Sequence, residues 1–232
     1  MKNSWILLFL LGMLSSCGDK MGTCTEYYGD GEKIRSTVPC NLSTGKKNGL
    51  MKVYKKNGDL WKTMVYVEGL QQDTSKFYYS RTGEILKTVP MRDDKRNGVA
   101  IEYFRNGKVK REQPYIDGLK EGFHRIYKED CELFKEEYYD KGLKEKLASY
   151  YYEDVDQVEE KISFIQDVRN GAYEKYDSKG RLLLKGTYKN GNPTGEWTFR
   201  AFTGNLISAS KSELAYAYKA DIKALDSYLY DK

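Results

Sequence analysis

A repeat of about 24 residues constrains the fold of this chain more than any other feature. Seven units can be aligned on Gly49, Thr74, Gly98, Gly122, Lys146, Gly171 and Gly195, at separations of 25, 24, 24, 24, 25 and 24 residues. Five positions after these starts, six of the seven units carry tyrosine: Tyr54, Tyr79, Tyr103, Tyr127, Tyr151 and Tyr176, with Arg200 in the last unit. A fixed period of this length predicts an array of identical supersecondary units.

Two further columns show what each unit is. Nine positions after the start stand Gly58, Gly83, Gly107, Cys131, Val155, Gly180 and Gly204, and eleven positions after it stand Leu60, Ile85, Val109, Leu133, Gln157, Leu182 and Leu206. Turns such as Asn57-Gly58 favour a tight β-hairpin, because both residues tolerate positive φ. Each unit therefore predicts a tyrosine strand, a turn and a return strand. The fifth unit departs from the columns, and its residues 153–157 predict an altered, exposed turn.

The repeat also predicts how the units assemble. Two strands in about 24 residues cannot bury an apolar face alone, so neighbouring hairpins must stack into one sheet. The fold class is therefore all-β: tandem β-hairpin repeats that form an elongated antiparallel sheet. From Ser212 the apolar residues follow helical spacing, with Ser212 as a suitable N-cap. Residues 212–232 thus predict a C-terminal α-helix that caps the open end of the sheet; a partner-binding helix is the alternative.

The N-terminus has the features of an export signal. Lys2 precedes the uncharged run Trp5–Leu14, which is too short to span a bilayer as a helix. Leu14-Ser15-Ser16-Cys17 resembles the lipobox of bacterial lipoproteins, and the resemblance implies cleavage before Cys17 and lipidation of Cys17. An ordinary secretory signal is the alternative. We expect a signal peptide over residues 1–16, a tether and N-terminal hairpin over 17–44, the repeat array over 45–211 and a lipid-anchored protein of the cell envelope.

Three cysteines remain. Cys24 and Cys40 bracket a predicted turn at Gly29-Asp30-Gly31, so the two thiols can face each other across a hairpin. An oxidising compartment makes a disulfide between them chemically reasonable, and two unpaired thiols are the alternative. Cys131 is interpreted as a turn residue. No CxxC pair is present, so neither a zinc site nor a thioredoxin-type site is indicated.

Segments 48–60, 97–109 and 185–199 resemble MORN repeats, and most closely the bacterial variant that reads N-G, aromatic strand, N-G-K, return strand. The resemblance covers roughly residues 45–210 and departs at Arg200 and in the fifth unit. It implies a hairpin-repeat fold. Some bacterial proteins of this group are labelled antitoxin-like, and other MORN proteins are linked to membranes or scaffolding, but no residue signature for these roles maps onto this chain.

Composition and motifs disfavour several functions. The 39 basic and 34 acidic side chains are interspersed, as in Lys128-Glu129-Asp130, without the clustered basic stripe of a nucleic-acid-binding protein. His124 is the sole histidine, and no nucleophile elbow, Walker loop, dinucleotide fingerprint or EF-hand loop accompanies it. We expect no catalytic residues, no cofactor and no metal, and an enzyme is the least favoured class. The acidic residues of 153–160 are interpreted as a solvated charge run.

Two functional hypotheses remain open. The first is an interaction or scaffold module with a protein partner, in an antitoxin-like or immunity role. The second is a surface lipoprotein that binds a glycan or lipid headgroups through aromatic rings. Four aromatic residues outside the tyrosine column distinguish the two: Tyr78, Tyr150, Tyr152 and Trp197. If they cluster exposed on one face, ligand binding is favoured; if they are buried, the scaffold hypothesis is favoured.

Overall fold

A computed structural model describes residues 20–29, 31–200 and 204–209. The predicted signal peptide, the predicted lipidation site Cys17 and the predicted capping helix over 212–232 lie outside the described residues. Within the described range the chain forms strands and turns and contains no helix. The prediction of an all-β hairpin array is confirmed for this part of the chain.

Eighteen strands belong to one antiparallel sheet. They are β1 (Met21–Tyr27), β2 (Ile34–Asn41), β3 (Gly49–Tyr54), β4 (Leu60–Val67), β5 (Leu70–Tyr78), β6 (Ile85–Arg92), β7 (Lys95–Arg96), β8 (Gly98–Tyr103), β9 (Val109–Ile116), β10 (Leu119–Lys120), β11 (Gly122–Tyr127), β12 (Leu133–Asp140), β13 (Leu143–Tyr151), β14 (Val158–Ile165), β15 (Val168–Tyr176), β16 (Leu182–Lys189), β17 (Asn192–Arg200) and β18 (Leu206–Ala209). Strands pair with their neighbours in sequence, and the two-residue strands β7 and β10 pair back on β6 and β9.

The turns between units form one rim of the sheet, which we call the tight-turn rim. Its two-residue turns are Glu68-Gly69, Asp93-Asp94, Asp117-Gly118, Lys141-Gly142, Gln166-Asp167 and Asn190-Gly191, and all twelve residues have positive φ. Positive φ at both positions defines a type I′ turn, whose twist matches that of the paired strands. The second residue of each turn also donates its N–H to a carbonyl of the preceding unit, as Gly118 does to Arg96 at 2.8 Å.

The turns within units form the opposite rim, which we call the tyrosine rim, and they come in two lengths. In the shorter turns the first residue donates its N–H to the carbonyl four positions on, as Lys55 does to Asp59 at 2.8 Å. In the longer turns the acceptor is five positions on, and the first residue is Tyr28, Tyr79 or Tyr152. These three hydroxyls donate to the backbone oxygens of Tyr54, Tyr103 and Tyr176, at 2.7, 2.8 and 2.8 Å. Each long turn is thereby bonded to the next unit.

The longer turns correct the predicted alignment of two units. Tyr78 pairs with Ile85 in the same way that Tyr54 pairs with Leu60, so Tyr78 and not Tyr79 belongs to the tyrosine column. Likewise Tyr151 pairs with Val158, which replaces Gln157 as the return-strand residue of the fifth unit. An alignment with fixed offsets placed these residues wrongly, because each long turn inserts one residue between the two columns.

The register of the ladders defines two faces of the sheet. Face A carries Val38, Ala100 and Ile162, and face B carries Leu50, Val99 and Leu147. Three apolar clusters lie along face A: the first includes Val38, Met51, Val53 and Met64, the second Val89, Ala100 and Tyr115, and the third Ala148, Ile162, Tyr173, Tyr188 and Trp197. The core is therefore a single row of side chains that runs from unit to unit.

The described cysteines differ in their surroundings: two are joined by a disulfide and one lies in an exposed turn. Cys24 of β1 and Cys40 of β2 are joined by a disulfide, with their Cα atoms 5.8 Å apart, and the bridge ties the terminal strand to the sheet. Cys131 is an exposed free cysteine in a tyrosine-rim turn. Its φ is +78°, close to the +90° of Gly58 and the +81° of Gly107 at the equivalent positions.

Candidate interaction surface

The four aromatic residues singled out from the sequence do not form an exposed cluster. Trp197 is 2% exposed and packs against Tyr173 and Tyr188, with ring centroids 5.6 and 5.3 Å away. Its ring lies over Gly186, where no larger residue would fit. The other three are half-buried, and each hydroxyl has a partner within the chain: Tyr78 contacts Thr63, Tyr150 donates to Glu137, and Tyr152 donates to the carbonyl of Tyr176. These rings hold the fold together.

A buried polar cluster interrupts the core row of face A. It consists of His124, Lys135, Glu137, Tyr139, Lys144 and Tyr150, from strands β11, β12 and β13. It occupies the section between the second and third apolar clusters, where the ladder pairs His124 with Glu137. We call this group the Glu137 cluster.

Both carboxylate oxygens of Glu137 are surrounded. Oε1 accepts from Tyr150 at 2.9 Å and lies 2.8 and 3.1 Å from the Nζ atoms of Lys144 and Lys135. Oε2 accepts from the Tyr139 hydroxyl at 3.0 Å. His124 Nδ1 lies 3.5 Å from Oε2, at the outer limit of a hydrogen bond, and no other partner for the ring nitrogens is found among the described residues.

The electrostatics of the cluster follow from these contacts. Burial opposes ionisation of Glu137, but His124, Lys144, Tyr150 and the charge of Lys135 outweigh burial and hold the pKa of this carboxyl far below its usual range. Burial and the neighbouring Glu137 carboxylate raise the pKa of Tyr139 and of Tyr150. The carboxylate stays ionised and the phenols stay protonated, so the cluster stabilises a fixed charge arrangement and offers no free carboxylate to a substrate.

Face B carries the surface that departs most from an ordinary solvated sheet. Eleven large apolar side chains, 40–55% exposed, lie on it towards the tight-turn rim: Leu50, Val67, Leu70, Val99, Ile116, Leu119, Phe123, Leu143, Leu147, Ile165 and Val168. The ladders place them on one side, because Leu50, Val99 and Leu147 pair with Val65, Pro114 and Ser163 of the adjacent strands. We call these residues the apolar band.

The band is regular along the array. Cross-strand aliphatic pairs flank every second tight turn: Val67 with Leu70, Ile116 with Leu119, and Ile165 with Val168. The intervening turns are flanked by polar or mixed pairs, such as Arg92 with Lys95. The aliphatic pairs thus recur at intervals of 49 residues, or two units. Exposed apolar side chains that recur along one face favour an interaction site, whereas isolated exposed residues need no explanation.

Sequence reasoning missed the apolar band because its members are separated by one or two repeat lengths. The signal that identifies it is a column: one position after the unit starts stand Leu50, Val99, Phe123 and Leu147. The alternation of apolar and polar residues places such positions in a strand. Without the register of the ladders, it does not show which side chains face the core and which face solvent.

Two further properties hold for the part of the chain that the structure describes. No group of three or more His, Cys, Asp or Glu side chains within it is placed to hold a metal ion. In the same residues we find no helix with the length and apolarity that a membrane crossing requires.

The chain is similar to a known repeat family at two places. The family model described as MORN repeat variant matches residues 96–117 and 169–190. Each match begins two residues after a type I′ turn and ends at the first residue of the next one, so each covers one structural unit. No curated protein matches the chain significantly. The resemblance noted from the sequence is therefore confirmed for these two units.

Proposed function

We propose that this protein is a non-enzymatic scaffold module of the bacterial cell envelope that binds a protein partner through the apolar band. The observation that carries the proposal is the alignment of eleven exposed apolar side chains on face B. The ladders between strands fix the relative positions of these side chains before a partner arrives. Such preorganisation lowers the entropic cost of binding.

The surroundings of the band favour a protein partner over a lipid surface. Acidic residues occupy several tight turns beside it, among them Asp93, Asp94, Asp117 and Asp167. A bilayer that contacted the band would meet these turns, and anionic lipid headgroups would be repelled by their carboxylates. A protein surface can instead place apolar residues on the band and basic residues opposite the turns. Such matching of charge gives specificity at the rim of an interface.

Site-resolved crosslinking tests the proposal. A photo-crosslinking residue placed at Val99, Ile116 or Leu147 is expected to capture one and the same protein in the native host. Placed at Ile34 or Ile85, which are exposed on the tyrosine rim, it is expected to capture none of that protein. Capture at equal yield from both sets of positions would contradict the proposal.

A pair of matched variants completes this test. The double variant Ile116→Thr, Leu119→Thr removes one aliphatic pair of the band, so the crosslink from Val99 should weaken. Threonine is β-branched and suits a strand, so the fold should be kept. Ile34→Thr with Ile85→Thr makes the same chemical change outside the band and should leave that crosslink unchanged. The identity of the captured protein then decides whether the role is antitoxin-like.

Anchoring through Cys17 is a separate part of the proposal and rests on the lipobox resemblance. Several acyl chains together give stable membrane attachment. We expect Cys17→Ala to shift the protein from the membrane fraction to the soluble fraction, whereas Cys131→Ala should leave it in the membrane fraction. Retention of the Cys17→Ala protein in the membrane would contradict lipid anchoring at this site.

A further inference from the structure

A row of cations runs along face A, on the side opposite the apolar band. Five basic side chains each lie over an aromatic ring of the following unit: Lys47 over Tyr66, Arg96 over Tyr115, Lys120 over Tyr139, Lys144 over Phe164 and Arg169 over Tyr188, at 4.5–5.5 Å from the ring centroids. We call these five residues the cation row. The same contact is thus repeated in five units.

The ladders place the members of the row at equivalent positions of their units. Arg96, Lys120 and Lys144 pair with Met91, Tyr115 and Tyr139, so each occupies the same position in its unit. The equivalent residue of the second unit is Gln71, which pairs with Tyr66. One unit contributes two strands, and strands lie about 4.8 Å apart, so cations of adjacent units stand about 10 Å apart and the gap at Gln71 separates Lys47 from Arg96 by about 20 Å.

The aromatic rings hold the cations in place. Tyr115, Tyr139 and Tyr188 are only 4–6% exposed, whereas Arg96 and Arg169 are exposed and Lys120 is half-exposed above them. Arg96 also donates to the Tyr115 hydroxyl at 3.0 Å. Cation–π contacts of this kind fix a charged head group without neutralising it. Lys144 also contacts the Glu137 carboxylate, at 2.8 Å.

We propose that the cation row binds a linear acidic polysaccharide of low charge density. From Arg96 to Arg169 each unit contributes one cation, about 10 Å from the next, and this spacing fits a thin polymer that carries one acidic group per few sugar units. A nucleic acid fits poorly, because each strand carries a phosphate about every 3.4 Å. A bilayer fits less well than a thin polymer, because a plane would extend over the tight turns as well, and the carboxylates of Asp94, Asp117 and Asp167 there repel anionic headgroups.

This inference does not depend on the proposed protein partner, since the apolar band and the cation row lie on opposite faces. A fluorescently labelled hyaluronan oligosaccharide, with one carboxylate per disaccharide, is a suitable probe, and neutral dextran is its uncharged counterpart. We expect the native chain to bind hyaluronan and to release it as salt is added, because screening weakens exposed charge pairs. Dextran should not bind.

Two double variants separate the row from net charge. Arg96→Gln with Lys120→Gln should weaken hyaluronan binding about tenfold, which is the loss of about 1.4 kcal/mol. Lys52→Gln with Lys76→Gln removes the same charge from exposed positions of face B and should leave binding unchanged. Crosslinking at Val99 should be the same in both variants.

Four outcomes would overturn the inference: no binding of hyaluronan, equal binding of dextran, equal loss in the two double variants, or tighter binding of single-stranded DNA or of anionic vesicles at the same salt. The variants on the row lie at the surface, and their folding can be checked by the cooperativity of urea unfolding.

Discussion

Glu137 is a charged residue at a repeat position that the other units fill with uncharged residues. Equivalent places in other units are taken by the uncharged residues Val89, Gln113 and Ile162. A carboxylate that is 1% exposed tolerates this place because two lysines and two tyrosines contact it. Burial of a charge is costly unless it is paired and hydrogen-bonded.

We predict that Glu137→Gln lowers the free energy of unfolding at pH 7 by about 3 kcal/mol, because the variant leaves a broken buried pair. The pKa of Glu137 is lower in the folded protein than its ordinary value of 4.5. The ionised Glu137 therefore stabilises the folded protein fully above pH 4.5. This stabilisation is lost as the pH falls from 4.5 towards the lower pKa of the folded state. The difference in unfolding free energy between the native chain and Glu137→Gln should narrow below pH 4.5, as measured by urea unfolding. Glu196→Gln, on the exposed face of β17, is the control. A difference independent of pH would contradict the prediction.

Cys131 offers a second prediction at the same scale. Its φ of +78° lies in the left-handed region, where a side chain with Cβ is strained and glycine is not. We predict that Cys131→Gly raises the free energy of unfolding by about 0.5–1 kcal/mol. Cys131→Ala removes the thiol but keeps the Cβ, so it should show no gain. Equal stability of the two variants would show that backbone strain at this turn is negligible.

The elements of this sheet are joined at their turns as well as along their strands. The tight turns donate N–H groups to the unit before them, and the long turns of the tyrosine rim donate hydroxyls to the unit after them. A hairpin alone is marginally stable in water. Bonds at both rims therefore supplement the ladders that hold each hairpin to its neighbours.

We predict that Tyr79→Phe destabilises the protein by about 1 kcal/mol, because the carbonyl of Tyr103 loses its donor. Tyr103→Phe keeps that carbonyl and its donor, so it should cost much less. Urea unfolding measures both, and hydrogen exchange should show faster exchange at the turn formed by residues 79–84 in Tyr79→Phe alone. Equal effects of the two variants would mean that loss of either ring hydroxyl, rather than this bond, is responsible.

The sequence predicts the elements well and the alignment of some units poorly. The hairpin, the tyrosine column and the rim turns follow from local patterns of Tyr, Gly and Asn. The fixed period wrongly placed Tyr79 and Gln157 in the aligned columns, because it does not account for a turn that is one residue longer. The doublets Tyr27-Tyr28 and Tyr78-Tyr79 do indicate the long turns, because the second tyrosine of each bonds to the next unit.

At the scale of the whole molecule, each hairpin contacts only the hairpins beside it. Stability in such an array is the sum of unit and neighbour terms. The surfaces that matter for binding also exist only at this scale, because residues of the apolar band and the cation row meet after several units have stacked. This is why composition and local motifs did not disclose them.

The disulfide gives a prediction at this scale. We predict that Cys24→Ser with Cys40→Ser lowers the local stability of the β1–β2 hairpin by about 3 kcal/mol, the value for a closed loop of similar length. Hydrogen exchange should quicken in residues 21–41 and stay unchanged in β13–β16, which are several units away. Cys131→Ser is the matched control. Uniform loss of protection along the array would contradict the nearest-neighbour account.

The pairing of strands with their sequence neighbours has a consequence for folding. Among the described residues no ladder joins positions farther apart in sequence than Met21 and Asn41, so this part of the chain has a low contact order for a protein made of strands. Sheets usually form slowly because distant segments must meet, and that delay exposes unpaired strands to aggregation. Here each strand finds its partner as soon as the next turn is made. The chain can therefore acquire structure hairpin by hairpin, without waiting for its C-terminus.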